Sequence, residues 1–280
     1  MNKIVKTGLF ILIGLAGFFV TSILSSVILL FNETFISYVV QMILSILLSI
    51  LLIKILCKKI HHIELSDLRI SKFSNIFWWF LCAVLLPLLV IAFFVFIIPG
   101  HFKYTEVNTI QLLNKLGLGI LCIGISTGII EELWFRGYIM KMVENNIGKN
   151  ISIIIPAIVF SILHIINIRV EYNLFDVLLL IINGIIVGIM FALIVYKSNS
   201  IWSAVIVHVF WNAIIGGFIN VGINESEQTL FNFVLEKDLN IITGGNIGLE
   251  VSLPATIGYI IVIIICLYKK KEIVEKSNVA

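Results

Sequence analysis

Glu131, Glu132 and Arg136 stand inside a run of apolar residues that begins near Ile110. An ionised side chain at the centre of a membrane helix costs about 2.5–3.5 kcal/mol, so such groups as a rule face a cavity, pair up and carry function. Two further apolar segments hold polar groups of the same kind: His164 ends "FSILH", and His208 and Asn212 bracket "HVFWN". Of the five histidines, only these two lie within apolar segments. A glutamate with two imidazoles can polarise a water, either as a general base assisted by imidazole or as the ligand set of a zinc-type ion with an open position. The metal set would be Glu131, His164 and His208. Asn212, one turn from His208, could donate a hydrogen bond to an oxyanion. That combination suits amide hydrolysis.

The polypeptide that must position these groups has 280 residues, 60% of them hydrophobic and 12% charged, with a mean hydropathy of +1.13. Soluble domains carry about 25% charged residues, so this composition is that of an integral membrane protein. A bilayer core of roughly 30 Å needs about 20 apolar residues per helix. Eight segments qualify or nearly so: 8–31, 36–56, 73–99, 110–141, 151–168, 174–196, 201–219 and 254–268. The expected fold is therefore all-α, a polytopic bundle of about eight transmembrane helices. The first segment is too long for a signal-peptide core of about 7–15 residues and no small-residue cleavage site comes after it, so it reads as an uncleaved span.

With the N-terminus inside, fourteen of the nineteen Lys and Arg fall on the cytoplasmic side, three outside and two in the fourth span. That bias puts both termini in the cytoplasm. The chain reads as one structural domain in three parts. Residues 1–109 hold helices 1–3 and a basic loop, 110–219 hold the chemistry-bearing helices 4–7, and 220–280 hold an acidic outer loop, the last helix and a basic tail. No basic tract is interleaved with aromatics, which leaves nucleic-acid binding without support. The four cysteines are scattered, with no CxxC pair, and read as small buried hydrophobes.

Helical geometry makes Glu132 and Arg136 i,i+4 neighbours, able to neutralise each other. Glu131 is turned about 100° away and is free to face something else. Phe160 and His164 share a face, as do His208 and Asn212. At about 1.5 Å per residue the three clusters lie at similar depth, roughly 15–22 Å from the nearest basic residue on the inner side. Gly124 with Gly128, and Gly184 with Gly188, have the spacing that lets helix backbones approach in lipid. Asp176 and Lys115, near outer helix ends, are expected to reach outward. Segment 220–250 reads as a floppy loop, and the loop with His61 and His62 as ordinary solvated chain. Trp134, Trp211 and Phe77–Trp79 read as packing or interfacial residues. No H-E-x-x-H occurs, "GISTG" lacks the order of a nucleophile elbow, and Asp176 has no second intramembrane aspartate.

The three clusters resemble the motifs EExxxR, FxxxH and HxxxN of the CaaX-protease and bacteriocin-processing (CPBP, or Abi) family of intramembrane endopeptidases. Here they read "EELWFR" (131–136), "FSILH" (160–164) and "HVFWN" (208–212), in order and on three different spans. The resemblance covers roughly 110–219. It implies an eight-helix membrane enzyme in which Glu131 and His164 activate the water, His208 and Asn212 hold or polarise the scissile carbonyl, and Glu132, Arg136 and Phe160 support the site. It is compatible with a divalent metal such as Zn or with none. The implied partners are the lipid bilayer and a membrane-associated peptide substrate. The implied setting is the plasma membrane of a bacterium, with peptide or bacteriocin processing or self-immunity as the process. Two other classes use the same residues: a transporter or ion carrier relaying protons through Glu131 and the histidines, and a non-catalytic immunity or scaffold protein.

Overall fold

The computed structural model describes residues 2–70, 76–104, 106–167 and 173–268. Within them eight helical rods form a bundle: α1 (Lys3–Leu30), α2 (Phe35–His61), α3 (Ile76–Ile97), α4 (Thr109–Asn146), α5 (Lys149–His164), α6 (Leu174–Ser198), α7 (Ile201–Ile214) and α8 (Leu253–Leu267). This is the polytopic all-α architecture that the hydropathy pattern predicts. Lys72, Arg169, Lys269, Lys270, Lys271 and Lys276, which enter the charge count behind the orientation, lie outside the described residues. So do the start of the expected span 73–99 and the end of 151–168.

Helices α1–α4 and α6 are long and apolar enough to cross a bilayer; α5, α7 and α8 are shorter. At 16, 14 and 15 residues the short helices reach about 21–24 Å, less than a hydrocarbon core of about 30 Å. Two of these three carry His164 and His208. The functional helices therefore stop before the membrane does.

Beyond α7 the chain is ordered into a small sheet, and here the expectation of a floppy outer loop is corrected. Strands β1 (Gly100–Tyr104), β2 (Ile219–Gly222) and β3 (Phe231–Leu235) form a sheet in the order β1-β3-β2. β1 runs antiparallel to β3, with Gly100 opposite Leu235 and Tyr104 opposite Phe231, and β2 runs parallel to it. Ile219, Val221, Phe233 and Leu235 are buried. The acidic composition of 220–250 concealed this, because the antiparallel partner of β3 lies far upstream, after α3. Asp176 is a second correction. Instead of reaching outward it is buried, closes the α6 capping box with Asn173, and accepts from Asn246 Nδ2 at 2.8 Å. Lys115 does reach outward, donating to the carbonyls of Glu227 and Thr229.

The glycine pairs do what their spacing implies. A Cβ on Gly128 would sit 2.8 Å from Val209 and one on Gly124 2.8 Å from Ala213, so α4 lies backbone-close against α7. Gly184 and Gly188 bring α6 equally close to Ser161 and Ala157 of α5. On its other side α4 packs on α1, where Gly17 makes room for the ring of Trp134. Trp134 is fully buried and donates to Ser49 Oγ of α2 at 3.2 Å. His61 departs from the solvated reading: it hydrogen-bonds Tyr138 Oη of α4 at 2.7 Å and packs edge-on against Phe10.

Candidate active site

Glu131 and Glu132 lie at the middle of α4, where a wide i→i+5 turn begins at Glu132 and runs to Ile139. Such turns re-aim side chains and recur at functional sites. Both carboxylates address one imidazole. His208 Nδ1 lies 2.9 Å from Glu132 Oε1, and His208 Nε2 lies 3.6 Å from Glu131 Oε2. The expected ion pair is present, with Arg136 Nη1 donating to Glu132 Oε1 at 2.9 Å. Glu132 and Arg136 are excluded from solvent (0% and 1%), whereas Glu131 retains 13% of its side-chain exposure. Water can reach only one of the two glutamates. Glu132 Oε2 is buried with no hydrogen-bond partner.

Paired with a guanidinium, Glu132 is a carboxylate and can only accept. His208 Nδ1 must therefore carry the hydrogen, which leaves Nε2 of the neutral ring as a lone pair turned to Glu131. A separation of 3.6 Å is too long for a direct hydrogen bond but suits a shared water, about 2.8 Å from each atom.

Aromatic rings fix these groups in orientation. Phe191 of α6 stacks on the His208 ring at 4.6 Å and 20°. The Arg136 guanidinium lies over Phe160 at 4.4 Å and over Phe191 at 5.1 Å, and it donates to the Gly188 carbonyl at 3.4 Å. Phe160 also contacts the rings of both His164 (4.5 Å) and His208 (6.3 Å), so it stands between the imidazoles. Phe191 was missed by the sequence reading, and only its place one turn after Gly188 on a close-packed helix could have flagged it.

His164 and Asn212 sit at the margin. His164 Nδ1 bonds the Phe160 carbonyl at 2.8 Å, and a carbonyl only accepts, so Nδ1 donates and Nε2 is left open. Among the described residues no hydrogen bond joins His164 to Glu131. The closest partner of Glu131 is His208, whereas the resemblance implies His164. Asn212 Nδ2 donates one hydrogen to the Ile123 carbonyl of α4 at 3.2 Å and retains a second.

Among the described residues no three His, Cys, Asp or Glu side chains are grouped closely enough to hold a metal ion. Both nitrogens of His208 face carboxylates and His164 stands apart. As placed, the donor set does not fit a metal, and no step is routed through one. A cavity of 690 Å³ lies between α3 and α8, lined by Trp79, Leu86, Val90, Lys197, Gly258 and Ile261, and no motif residue lines it.

Residues 113–214 match the family model described as Type II CAAX prenyl endopeptidase Rce1-like. Over these residues the chain is Rce1-like. The match runs through α4–α7 and contains Glu131, Glu132, Arg136, Phe160, His164, His208 and Asn212, in agreement with the CPBP resemblance carried by the three motifs. No curated protein and no solved structure matches the chain. The Rce1-like segment places the chain with CAAX-type intramembrane proteases, and its apolar helices make it a multi-pass membrane protein.

Proposed function

We propose that the chain is an intramembrane endopeptidase that hydrolyses a peptide bond of a membrane-associated peptide with a water held between Glu131 and His208. One observation carries this reading: the only water-accessible carboxylate of the motif lies 3.6 Å from an imidazole nitrogen whose tautomer is fixed from behind by a buried ion pair.

The step is set by the atoms present. Glu131 takes a proton from the water, whose oxygen forms the new bond to the scissile carbonyl carbon. The carbonyl electrons become an oxyanion, stabilised by the free amide hydrogen of Asn212 and, when protonated, by His164 Nε2. On collapse the C–N bond breaks and the proton held by Glu131 passes to the departing amine. Glu132 and Arg136 touch neither water nor substrate, and they position His208. Desolvation by Phe160, Phe191 and the close α4–α7 contact strengthens each of these interactions.

The family description names prenyl CAAX substrates for its members. For this chain we propose a peptide held at the plasma membrane of a bacterium, with peptide maturation or self-immunity as its setting. The test is a peptidase assay on purified protein in lipid, wild type beside Glu131→Gln, with and without chelator. Turnover that vanishes in the variant while helicity and melting persist supports the reading. Undiminished turnover by Glu131→Gln ends it. Sensitivity to chelator would instead require the site to rearrange around a metal.

A further inference from the structure

The segment that closes the outer side of the site is buried except at one residue. Leu249, Val251 and Ser252 are 3%, 4% and 0% exposed, while Glu250 between them is exposed. Its backbone is held in place from two helices. Tyr259 Oη of α8 donates to the Glu250 carbonyl at 3.0 Å, and Asn183 Nδ2 of α6 donates to the Val251 carbonyl at 3.2 Å. Both anchors lead back to the motif helices. Tyr259 packs edge-on against Trp211 at 5.1 Å, between His208 and Asn212 in the chain. Asn183 lies beside Gly184, which abuts Ser161 of α5, one turn before His164.

A single accessible carboxylate is thus fixed on a rigid strap opposite the chemistry. We propose that Glu250 is a specificity-determining residue, a carboxylate that faces the Glu131–His208 pair and seats a cationic side chain of the peptide substrate; this role rests on the endopeptidase reading above.

Charge balance favours that ligand. Arg136 is committed to Glu132 and Lys115 to loop carbonyls. Among the described residues neither Glu131 nor Glu250 has a Lys or Arg partner within ion-pair distance. The Glu250 carboxyl is pushed up from its ordinary value, first by its depth within the protein, with the negative charge of Glu131 adding to this and His164 and His208 opposing it. Its depth and its accessible surface together describe a group lining a water-filled recess. A lysine or arginine seated between two carboxylates relieves their repulsion, whereas an acidic side chain adds to it.

The test uses palmitoylated, dye-labelled heptapeptides, N-methylated along the backbone to block hydrolysis and identical except for a central Lys, Gln or Glu. Binding is measured to the full chain in lipid nanodiscs. Wild type is expected to bind the Lys peptide about ten-fold more tightly than the Gln peptide, the scale of one well-placed charge pair. Glu250→Gln removes the difference, and Glu250→Lys turns the preference toward the Glu peptide. Equal affinities in wild type, or a Lys preference that survives both substitutions, overturns the proposal, as does a preference abolished by Glu225→Gln with Glu227→Gln on the outer loop. Turnover of the unmethylated peptides is read separately. Its absence counts against the endopeptidase reading, while the charge preference stands or falls on the binding data.

Discussion

Helix α4 carries two buried polar clusters little more than a turn apart, and they are built on opposite plans. Toward the outer side, Ser126 bonds Ser45 Oγ at 2.7 Å and accepts from Gln41 Nε2 at 3.4 Å, while the Cys122 thiol donates to Gln41 Oε1 at 3.2 Å. Every member is neutral, and among the described residues each buried side-chain N or O atom of this cluster has a partner. Further in, Glu131, Glu132, Arg136 and His208 are ionised or ionisable, Glu132 Oε2 has no hydrogen-bond partner, and a 3.6 Å gap separates Glu131 from His208. The first cluster is closed, so it can only hold α2 to α4. The second keeps open positions where water and a substrate carbonyl fit. Location in the membrane is shared, and what separates glue from chemistry is charge and incomplete pairing.

The sharpest way to break this contrast is Glu131→Gln, which keeps shape and removes the base. Turnover in the lipid-reconstituted assay should fall about 10²–10⁴-fold, the usual worth of a positioned base, while the melting temperature holds. Arg136→Met should act on stability instead. It leaves the Glu132 carboxylate buried without its cation, a loss of about 3–5 kcal/mol, read by chemical unfolding in micelles. Adding Glu132→Gln should recover most of that loss, because the uncompensated charge is then gone, but turnover should stay low without the brace on His208.

Gly128→Ala tests the spacing rather than the charges. The new methyl would meet Val209 Cγ2 at 2.8 Å and the Val209 backbone nitrogen at 3.0 Å, and backbone cannot rotate away. About 1–3 kcal/mol of stability should be lost. Turnover should fall further than stability accounts for, since α4 and α7 must separate just where Glu131 meets His208. Kinetics measured well below the melting transition distinguish the two effects.

How far the sequence discloses all this depends on the range of each interaction. The Glu132–Arg136 pair is local, so i,i+4 spacing reveals it. Gly128 and Gly184 announce close helices by their own size. The meeting of α4 with α7 is legible because an ionisable group in an apolar run needs a partner, and few candidates exist. Which imidazole faces Glu131 is not legible, since it turns on helix rotation and on a wide turn at Glu132 that no residue type encodes. Phe191 carries no polar signal, so stacking on His208 leaves no trace in the sequence. β3 and Glu250 are hidden for another reason. Their partners lie over a hundred residues upstream, in β1 for the strand and at Glu131 for the carboxylate, and an acidic stretch looks the same whether it floats or folds.

The closed cluster supplies the smallest effect and the cleanest control. Ser126→Ala removes an acceptor for Gln41 and the partner of Ser45, yet Ser45 keeps its bond to the Met42 carbonyl at 2.8 Å and Gln41 keeps Cys122. Hydrogen bonds between membrane helices average about 0.6 kcal/mol, with an upper range near 1.7, so the variant should lose on the order of 1 kcal/mol. Turnover should stay within about two-fold of wild type, because no group that touches water or substrate has moved. A large fall in turnover at intact stability would mean that the serine cluster and the glutamate site are one coupled network along α4, and the division between the two plans would have to be redrawn. The measurement is therefore paired: unfolding and kinetics on the same preparation, beside Glu131→Gln, where the expected pattern is the reverse.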